Sequence, residues 1–335
     1  MNFNVVIIGS GVGLKHLEAL NEIDQTKVIA ICEKNRSRRV YLKKKFTNIE
    51  IISDYKKIFN IKDNIDLISI ASYDSDHFKQ IKSLSTICRN FIVEKPMVQT
   101  PHELKELRKI VKKKKLKIFS NLVLREVELF KFIKKNISKN KIYNIEADYL
   151  WGRIYKLFEW RSKEKKYSLT LGASIHMIDI VNWLVDDMPV SVFTKGNKIS
   201  TKKTKFKKSS FLTHLFSYKN GLIVKISANA ASAHPHFHEI KVFQKNKTLI
   251  SNLNNQLIIT RNLSNKNKFK IQKLKLPYPD KQNRKKLIKS FVKSIKNNRS
   301  PNISFKYLCN LMQICFFADL SLVKKKEIKI KFFKS

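Results

Sequence analysis

The segment Val5-Val6-Ile7-Ile8-Gly9-Ser10-Gly11-Val12-Gly13-Leu14-Lys15-His16 opens with four apolar residues and turns on three glycines. It then continues as an apolar-periodic helix through Leu14, Leu17 and Leu20. Three of the chain's seven glycines fall within the five positions from Gly9 to Gly13. Strand, glycine turn and helix in this order make a cradle for the phosphates of a dinucleotide. One glycine permits the tight turn and another lets the backbone approach a pyrophosphate. The helix N-terminus adds free N–H groups and partial positive charge. Gly9, Ser10, Gly11, Val12 and Gly13 are therefore the expected cofactor-binding residues. The spacing is G-x-G-x-G, with Leu14 where G-x-G-x-x-G places its last glycine.

Outward from this turn, short apolar runs alternate with helical patterns over the first 120 or so residues. Strands are expected at Asn4–Ile8, Lys27–Cys32, Ile49–Ile52, Ile65–Ala71, Phe91–Val93 and Lys117–Ser120. Helices are expected at Val12–Asn21, Arg36–Phe46, Asp76–Leu84 and Pro101–Lys114, the last capped by Thr100. Such alternation predicts a doubly wound parallel sheet, a Rossmann domain over residues 1–122. Beyond it, residues 123–335 read as a second α/β domain with a large, mostly antiparallel open sheet. Its strands include Ile142–Leu150, Ser209–Tyr218, Leu222–Ala230, His238–Gln244 and Glu327–Phe332. Tyr218-Lys219-Asn220-Gly221 signals a hairpin. Helices are expected at Leu171–Val185, Lys281–Lys296 and Phe305–Lys324, and a loop at Asn262–Lys270.

The chain has 335 residues and carries 69 Lys and Arg against 26 Asp and Glu, a formal charge of +43. Such a potential draws anions. The lysines are spread along the whole chain, however. The runs at Lys112 to Lys115 and Lys202 to Lys208 lack the interleaved aromatics of a single-strand binding groove. A solvated surface is the preferred reading, with nonspecific nucleic-acid affinity only at low salt. No apolar run reads as a membrane span and no leader precedes the first strand, so a cytoplasmic location without membrane contact is expected. Cys32, Cys88, Cys309 and Cys315 are scattered, as free thiols of a reducing compartment would be.

Several residues can carry chemistry. Glu33 follows the second strand, about twenty residues past the glycine loop, where an acid accepts hydrogen bonds from an adenosine ribose diol. This favours NAD, although Arg36, Arg38 and Arg39 keep NADP open. Glu94-Lys95-Pro96 ends a parallel strand, at the sheet edge where ligands bind in open α/β sheets. Pro96 restricts Lys95 to extended backbone and admits a cis bond. His176 and Asp179 share a face of the helix that begins near Leu171. The dipole at that helix's N-terminus favours a neutral imidazole able to act as a base. Tyr149 and Arg153 lie where a strand leads into a loop, and Arg153 suits a carboxylate or phosphate. His234, His236 and His238 alternate, but Pro235 and the lack of a further ligand argue against a metal, so no metal site is expected.

Taken together, these pieces resemble the Gfo/Idh/MocA oxidoreductase family over nearly the whole chain. The match runs through the glycine loop with His16, the strand-to-His77 segment IASYDSDH, Glu94-Lys95-Pro96, and Ser174 to Asp179 continuing into Asn182-Trp183-Leu184. The resemblance implies NAD(P)-dependent hydride transfer at a CH–OH group of a sugar, cyclitol or nucleotide-sugar derivative. It implies that Lys95 and His176 line the substrate site as catalytic residues. Tyr149, Arg153 and Asp179 are expected toward substrate, and Glu33, His77, Glu94, Lys95 and Pro96 toward cofactor. The resemblance also implies a homodimer or homotetramer assembled through the second sheet. In polyol-oxidising members an acid four residues before the histidine assists it; here that position is Gly172. Either His176 works with Lys95 alone, or Tyr149, Tyr155, Glu159 or Tyr167 assists. The alternative is a catalytically degenerate, cofactor-binding regulatory or scaffold protein of the same fold.

Overall fold

A computed structural model describes residues 2–262, 268–278 and 282–333. The chain divides into two compact units. The first comprises Met1–Val123 with Lys281–Met312, and the second Leu124–Asp280 with Gln313–Ser335. Residues 281–312 thus group with the first unit, whereas the sequence was divided once, at 122/123. Of the loop expected at Asn262–Lys270, residues 263–267 lie outside the described residues.

In the first unit the expected alternation forms strands β1 (Phe3–Ile8), β2 (Thr26–Cys32), β3 (Glu50–Ile52), β4 (Leu67–Ile70), β5 (Asn90–Val93) and β6 (Lys117–Ser120). They make one parallel sheet in the order β3-β2-β1-β4-β5-β6. The order reverses between β1 and β4, the crevice where doubly wound folds bind ligands. Val5 to Ile8, Leu67 to Ile70 and Phe91 to Val93 are buried along their whole length, as strands covered on both faces must be. The covering helices are α1 (Gly13–Leu20), α2 (Arg36–Lys45), α3 (His77–Leu84) and α4 (Pro101–Lys114). Thr100 caps α4 as expected, its hydroxyl accepting from the Glu103 N–H at 3.1 Å, with Pro101 in the first turn.

The second unit starts with α5 (Glu128–Asn136), β7 (Ile142–Leu150), the short α6 (Trp160–Lys163) and α7 (Ile175–Val185). Strands β8 (Ser191–Asn197), β9 (Phe211–Ser217), β10 (Ile223–Asn229), β11 (Phe237–Gln244), β12 (Lys247–Ser251), β13 (Gln256–Arg261) and β14 (Phe269–Lys273) follow. Helices α8 (Asn283–Lys296) and α9 (Phe305–Lys324) precede β15 (Ile328–Lys329). The nine-stranded sheet runs β14-β13-β12-β11-β7-β10-β9-β8-β15 and is antiparallel except at its centre, where β7 and β10 are parallel. The Tyr218–Gly221 hairpin forms between β9 and β10, with Gly221 at φ +86. Ile145, Ala147, Val224, Ile226, Ile240 and Val242 face inward, where Met177, Ile180, Val181 and Leu184 of α7 are also buried.

Helix α8 packs on α1 within the first unit. Lys289 reaches Glu22 at 3.0 Å, Lys285 pairs with the same carboxylate, and Phe291 stacks on Phe119 at 5.0 Å. Contrary to the sequence reading, α9 has the length and apolar composition of a membrane span. Lys306, Asn310, Gln313 and Asp319 interrupt its apolar pattern, which obscured it. Its Leu308, Leu311, Met312, Ile314, Cys315 and Ala318 are buried within the protein, as in a core helix.

Candidate active site

In the first unit the glycine turn leaves β1 at Gly9, whose φ is +90. A Cβ there would collide with the Ala71 backbone, so the left-handed turn and the close passage of β4 both demand glycine. Gly13 is equally restricted: a Cβ would lie 2.8 Å from Ile7 Cγ2, where α1 presses onto β1. Gly11 differs. A Cβ there would meet nothing nearer than Arg38 Nη1 at 3.8 Å, so the middle of the turn faces open space beside a guanidinium. Helix α1 also starts without a side-chain cap at Val12. An open glycine, an uncapped helix start and an adjacent cation together fit a dinucleotide pyrophosphate.

Glu33 lies behind this turn. One carboxylate oxygen accepts from the Ser10 N–H at 3.0 Å and its hydroxyl at 2.5 Å, and the other accepts from the Asn35 N–H at 2.8 Å. Burial alone would push the carboxyl up. The Ser10 and Asn35 hydrogen bonds and the charge of Arg38 outweigh it and hold Glu33 below the usual range, ionised. Arg38 Nη1 in turn donates to Ser10 Oγ at 3.3 Å. Glu33 therefore braces the turn as well as standing at the expected ribose position.

At the end of β5, Glu94 accepts from Asn121 Nδ2 at 2.8 Å and lies 2.9 Å from His16 Nε2, while His16 Nδ1 is 2.7 Å from Ser69 Oγ. Burial opposes ionisation of Glu94, but His16, the Arg284 charge and Asn121 together drive its carboxyl well below the usual range. Lys95, half-buried, follows directly, and the Lys95–Pro96 bond is cis. His77 is fully buried with Nδ1 2.8 Å from the Pro96 carbonyl oxygen and Nε2 3.2 Å from that of Ser72. Glu94 and His77 thus grip the backbone on either side of Lys95. His16 and His77 carried sequence signals; Asn121, just past β6, carried none.

The second unit gathers rings around His176 on α7. Tyr149, from the end of β7, meets His176 edge-on at 6.0 Å and stacks on His238 of β11 at 4.3 Å. Its hydroxyl is 2.9 Å from His236 Nε2, and Tyr278 hydrogen-bonds His238 Nδ1. Burial, with Arg153 and Lys156 nearby, pushes His236 down to about 4, and burial raises the Tyr149 phenol well above its ordinary value. His236 and His238 therefore converge on Tyr149. His234 instead lies 3.7 Å from Glu239 with its ring near Phe237. Among the described residues no group of three His, Cys, Asp or Glu is placed to hold a metal ion. Arg153 follows Gly152, whose φ of +58 turns the chain past the His234 carbonyl.

Helix α7 is entered through a wide π-type turn, Thr170–Ser174, a geometry common at functional sites. The Ser174 hydroxyl is 2.9 Å from His214 Nε2 and Thr194 Oγ1 is 2.9 Å from Nδ1, both inside the core. Burial pushes His214 down to about 3, so it stays neutral. Asp179 is buried in a forked pair with Arg125, whose Nε is 3.1 Å from both carboxylate oxygens and Nη2 2.5 Å from one. Sequence reading placed Asp179 toward substrate; the structure gives it an internal arginine. Arg125 and His214 come from segments far along the chain and left no local signal.

Comparison with known proteins agrees with this architecture. Residues 3–122 match the model of an oxidoreductase family with an NAD-binding Rossmann fold, GFO/IDH/MocA, and residues 140–250 match that family's C-terminal domain. An uncharacterised oxidoreductase of Synechocystis sp. is 23% identical over 193 residues, 55% of this chain and 51% of that protein, so the chain spans about half the length of this curated relative. Myo-inositol 2-dehydrogenase from Lactobacillus plantarum superposes with a TM-score of 0.83 at 18% identity, covering 99% of this chain and 100% of the other. Scyllo-inositol dehydrogenase from Lactobacillus casei, solved with NAD(H) and scyllo-inositol, gives 0.81 at 17%, covering 98% and 99%. With the glycine turn, Glu94-Lys95-Pro96 and the His176 helix each in place within its own unit, the chain belongs to the GFO/IDH/MocA family of NAD-binding oxidoreductases.

Proposed function

We propose that the protein is an NAD(P)-dependent dehydrogenase or reductase that interconverts a CH–OH group and a carbonyl on a sugar, cyclitol or nucleotide-sugar derivative. The observation that carries this reading is His176, half-buried at the start of α7 and faced by Tyr149 and His238. A neutral imidazole there accepts the hydroxyl proton in oxidation and returns it in reduction. Lys95 supplies the cation that polarises the same oxygen. Gly9 to Gly13 hold the pyrophosphate, and Glu33 with Ser10 sets the ribose end. When bound, the nicotinamide supplies the hydride acceptor or donor. NAD is the expected form, and Arg38 beside the glycine turn is the residue that admits NADP. Arg153 is proposed to steady the substrate, and Asp179 to act through Arg125.

Titration of NADH and NADPH followed by nicotinamide fluorescence tests the cofactor assignment. A screen beginning with myo-inositol and scyllo-inositol, the compounds named for the structural relatives, tests the substrate class. Lys95→Ala and His176→Ala are expected to retain NADH binding and to lose turnover by about 100-fold or more. Normal turnover in both overturns the site assignment. NADH binding with no turnover across sugars and nucleotide-sugars favours the regulatory reading that Gly172 motivates. A cytoplasmic homodimer or homotetramer through the second sheet completes the proposal, supported by exposed Leu215 and Ile223 on the sheet's outer face. Sedimentation at several protein concentrations checks the assembly.

A further inference from the structure

The loop after β7 carries three half-buried cations, Arg153, Lys156 and Arg161, within nine residues. Its path is fixed by local contacts. Gly152, at φ +58, turns the chain at its start, and the Lys156 N–H donates to the Arg153 carbonyl at 3.0 Å within the 3-10 turn Ile154–Leu157. Arg161 Nη1 donates to the Lys156 carbonyl at 3.5 Å, and its guanidinium lies 4.3 Å from the Trp160 ring centroid and 5.5 Å from that of Trp151. The three charges gather beside the Tyr149–His236 pair. The Tyr149 phenol feels Arg153 and Arg161, and the His236 ring feels Arg153 and Lys156. Tyr149 in turn meets His176 edge-on at 6.0 Å.

This charge is not balanced from within the unit. Burial and then Arg153 and Arg161 hold Lys156 below the usual lysine range, and the exposed Glu159 opposes them without offsetting them. Among the described residues no carboxylate lies within ion-pair distance of any of the three cations. The acids nearest on the sheet are turned away. Tyr149 and His238 are cross-strand partners between β7 and β11, and so are Asp148 and Glu239 one position along. Successive strand residues point to opposite faces, so both acids leave the face of the rings. There Lys225 reaches Asp148 at 3.5 Å and His234 reaches Glu239 at 3.7 Å.

Like charges held side by side repel, and an oxyanion among them relieves the repulsion. Guanidinium forks suit carboxylate and phosphate alike. We propose that Arg153, Lys156 and Arg161 form an oxyanion subsite beside Tyr149 and His236, so that the substrate is a sugar or cyclitol carrying a carboxylate or phosphate close to the carbon that His176 serves. This rests on the reading of His176 as the base.

The test uses the full chain with carbon-13 at the histidine Cε1 positions, observed by NMR at pH 7. His236 is assigned by the signal lost in His236→Gln. Inorganic phosphate and acetate are titrated separately, with ionic strength held constant by potassium chloride. At least one of them should move the His236 signal saturably; the one that binds more tightly identifies phosphate or carboxylate as the recognised group. Arg153→Gln with Lys156→Gln should weaken that binding by about tenfold or more. Lys156→Gln alone, which serves if the pair does not fold, should weaken it by about threefold or more. Lys112→Gln with Lys113→Gln removes the same charge from the exposed face of α4 and should leave it unchanged. A His236 signal that neither probe moves overturns the proposal. So does equal weakening in the α4 variant, which would mean an adventitious ion only, drawn by the overall charge. With the substrate that the screen returns, the Arg153–Lys156 double variant should raise KM by about tenfold. A neutral sugar turned over with KM unchanged in that variant overturns the subsite and leaves the dehydrogenase reading standing. Binding at His236 in a protein with no turnover removes the dehydrogenase reading and leaves the subsite.

Discussion

Glu94 in the first unit and Asp319 in the second are both half-buried acids whose carboxyls turn inward, yet they are driven in opposite directions. Glu94 receives Asn121 Nδ2, lies against His16 and feels the charge of Arg284, so it stays ionised despite burial. Asp319 is pushed up to about 6 because burial outweighs the hydrogen bond from Ser168 and the charge of Lys208. The same contrast recurs at other groups within each unit. Glu33 is held charged by Ser10, Asn35 and Arg38, whereas His236 and His214 are held neutral by burial. Desolvation is resisted only where donors converge on the charge. The unit expected to hold a dinucleotide keeps its acids charged as braces. The unit carrying His176 sets the Tyr149 phenol, raised by burial, beside it and keeps His236 and His214 neutral.

The comparison can be broken most sharply at Glu94. Glu94→Ala leaves His16 and Asn121 facing a void and should cost about 3–5 kcal/mol of stability at pH 7, read by urea unfolding. Because the folded value is depressed, that stability is present above the ordinary glutamate range and fades as pH falls below it toward the folded value. A cost that stays constant down to strongly acid pH would show that Glu94 is not held ionised.

Asp319 should behave with the opposite sign. Its folded value is raised, so its favourable state is fully present below the ordinary aspartate range and is lost as pH rises through about 6. Asp319→Asn should therefore stabilise the protein by about 2–3 kcal/mol at pH 8 and make little difference below pH about 4. Destabilisation at both pH values would mean that Asp319 is charged and paired like Glu94.

Two smaller effects sharpen the picture within the first unit. Gly11→Val places a side chain into the open middle of the glycine turn. NADH affinity should fall by about tenfold, while the melting temperature stays near wild type. Equal affinity would move the pyrophosphate elsewhere. Thr100→Ala removes the α4 cap and should cost about 1 kcal/mol, with NADH affinity unchanged. A larger loss would show that this loop, close after Lys95-Pro96, is coupled to the site.

Much of the first unit was legible because its signals are local. Gly9, Gly11 and Gly13 follow their strand directly, Thr100-Pro101 announces α4, and Glu94-Lys95-Pro96 sits at a strand end. The second unit was legible in outline, with β7, β9, β10, β11 and α7 all anticipated within a few residues. Strands β8, β12, β13 and β14 were not marked out beforehand. Short, exposed and lysine-rich segments such as β14 carry little of the alternation that a half-buried strand displays.

By itself, the order of residues determined the parallel sheet, the phosphate cradle and the placement of Lys95 and His176 at element ends, because hydrophobic period and turn chemistry act over a few neighbours. Only the tertiary structure decided which partners those residues meet. Asn121 reaches Glu94 across 27 positions, Arg125 reaches Asp179 across 54, and Ser168 reaches Asp319 across 151. The filling of Gly172's side-chain space by Tyr167 is of the same kind, though only five residues separate them. Which ring lies on a bare α-carbon depends on how the π-type turn, Trp160 and Phe206 close around it, and no local pattern encodes that closure.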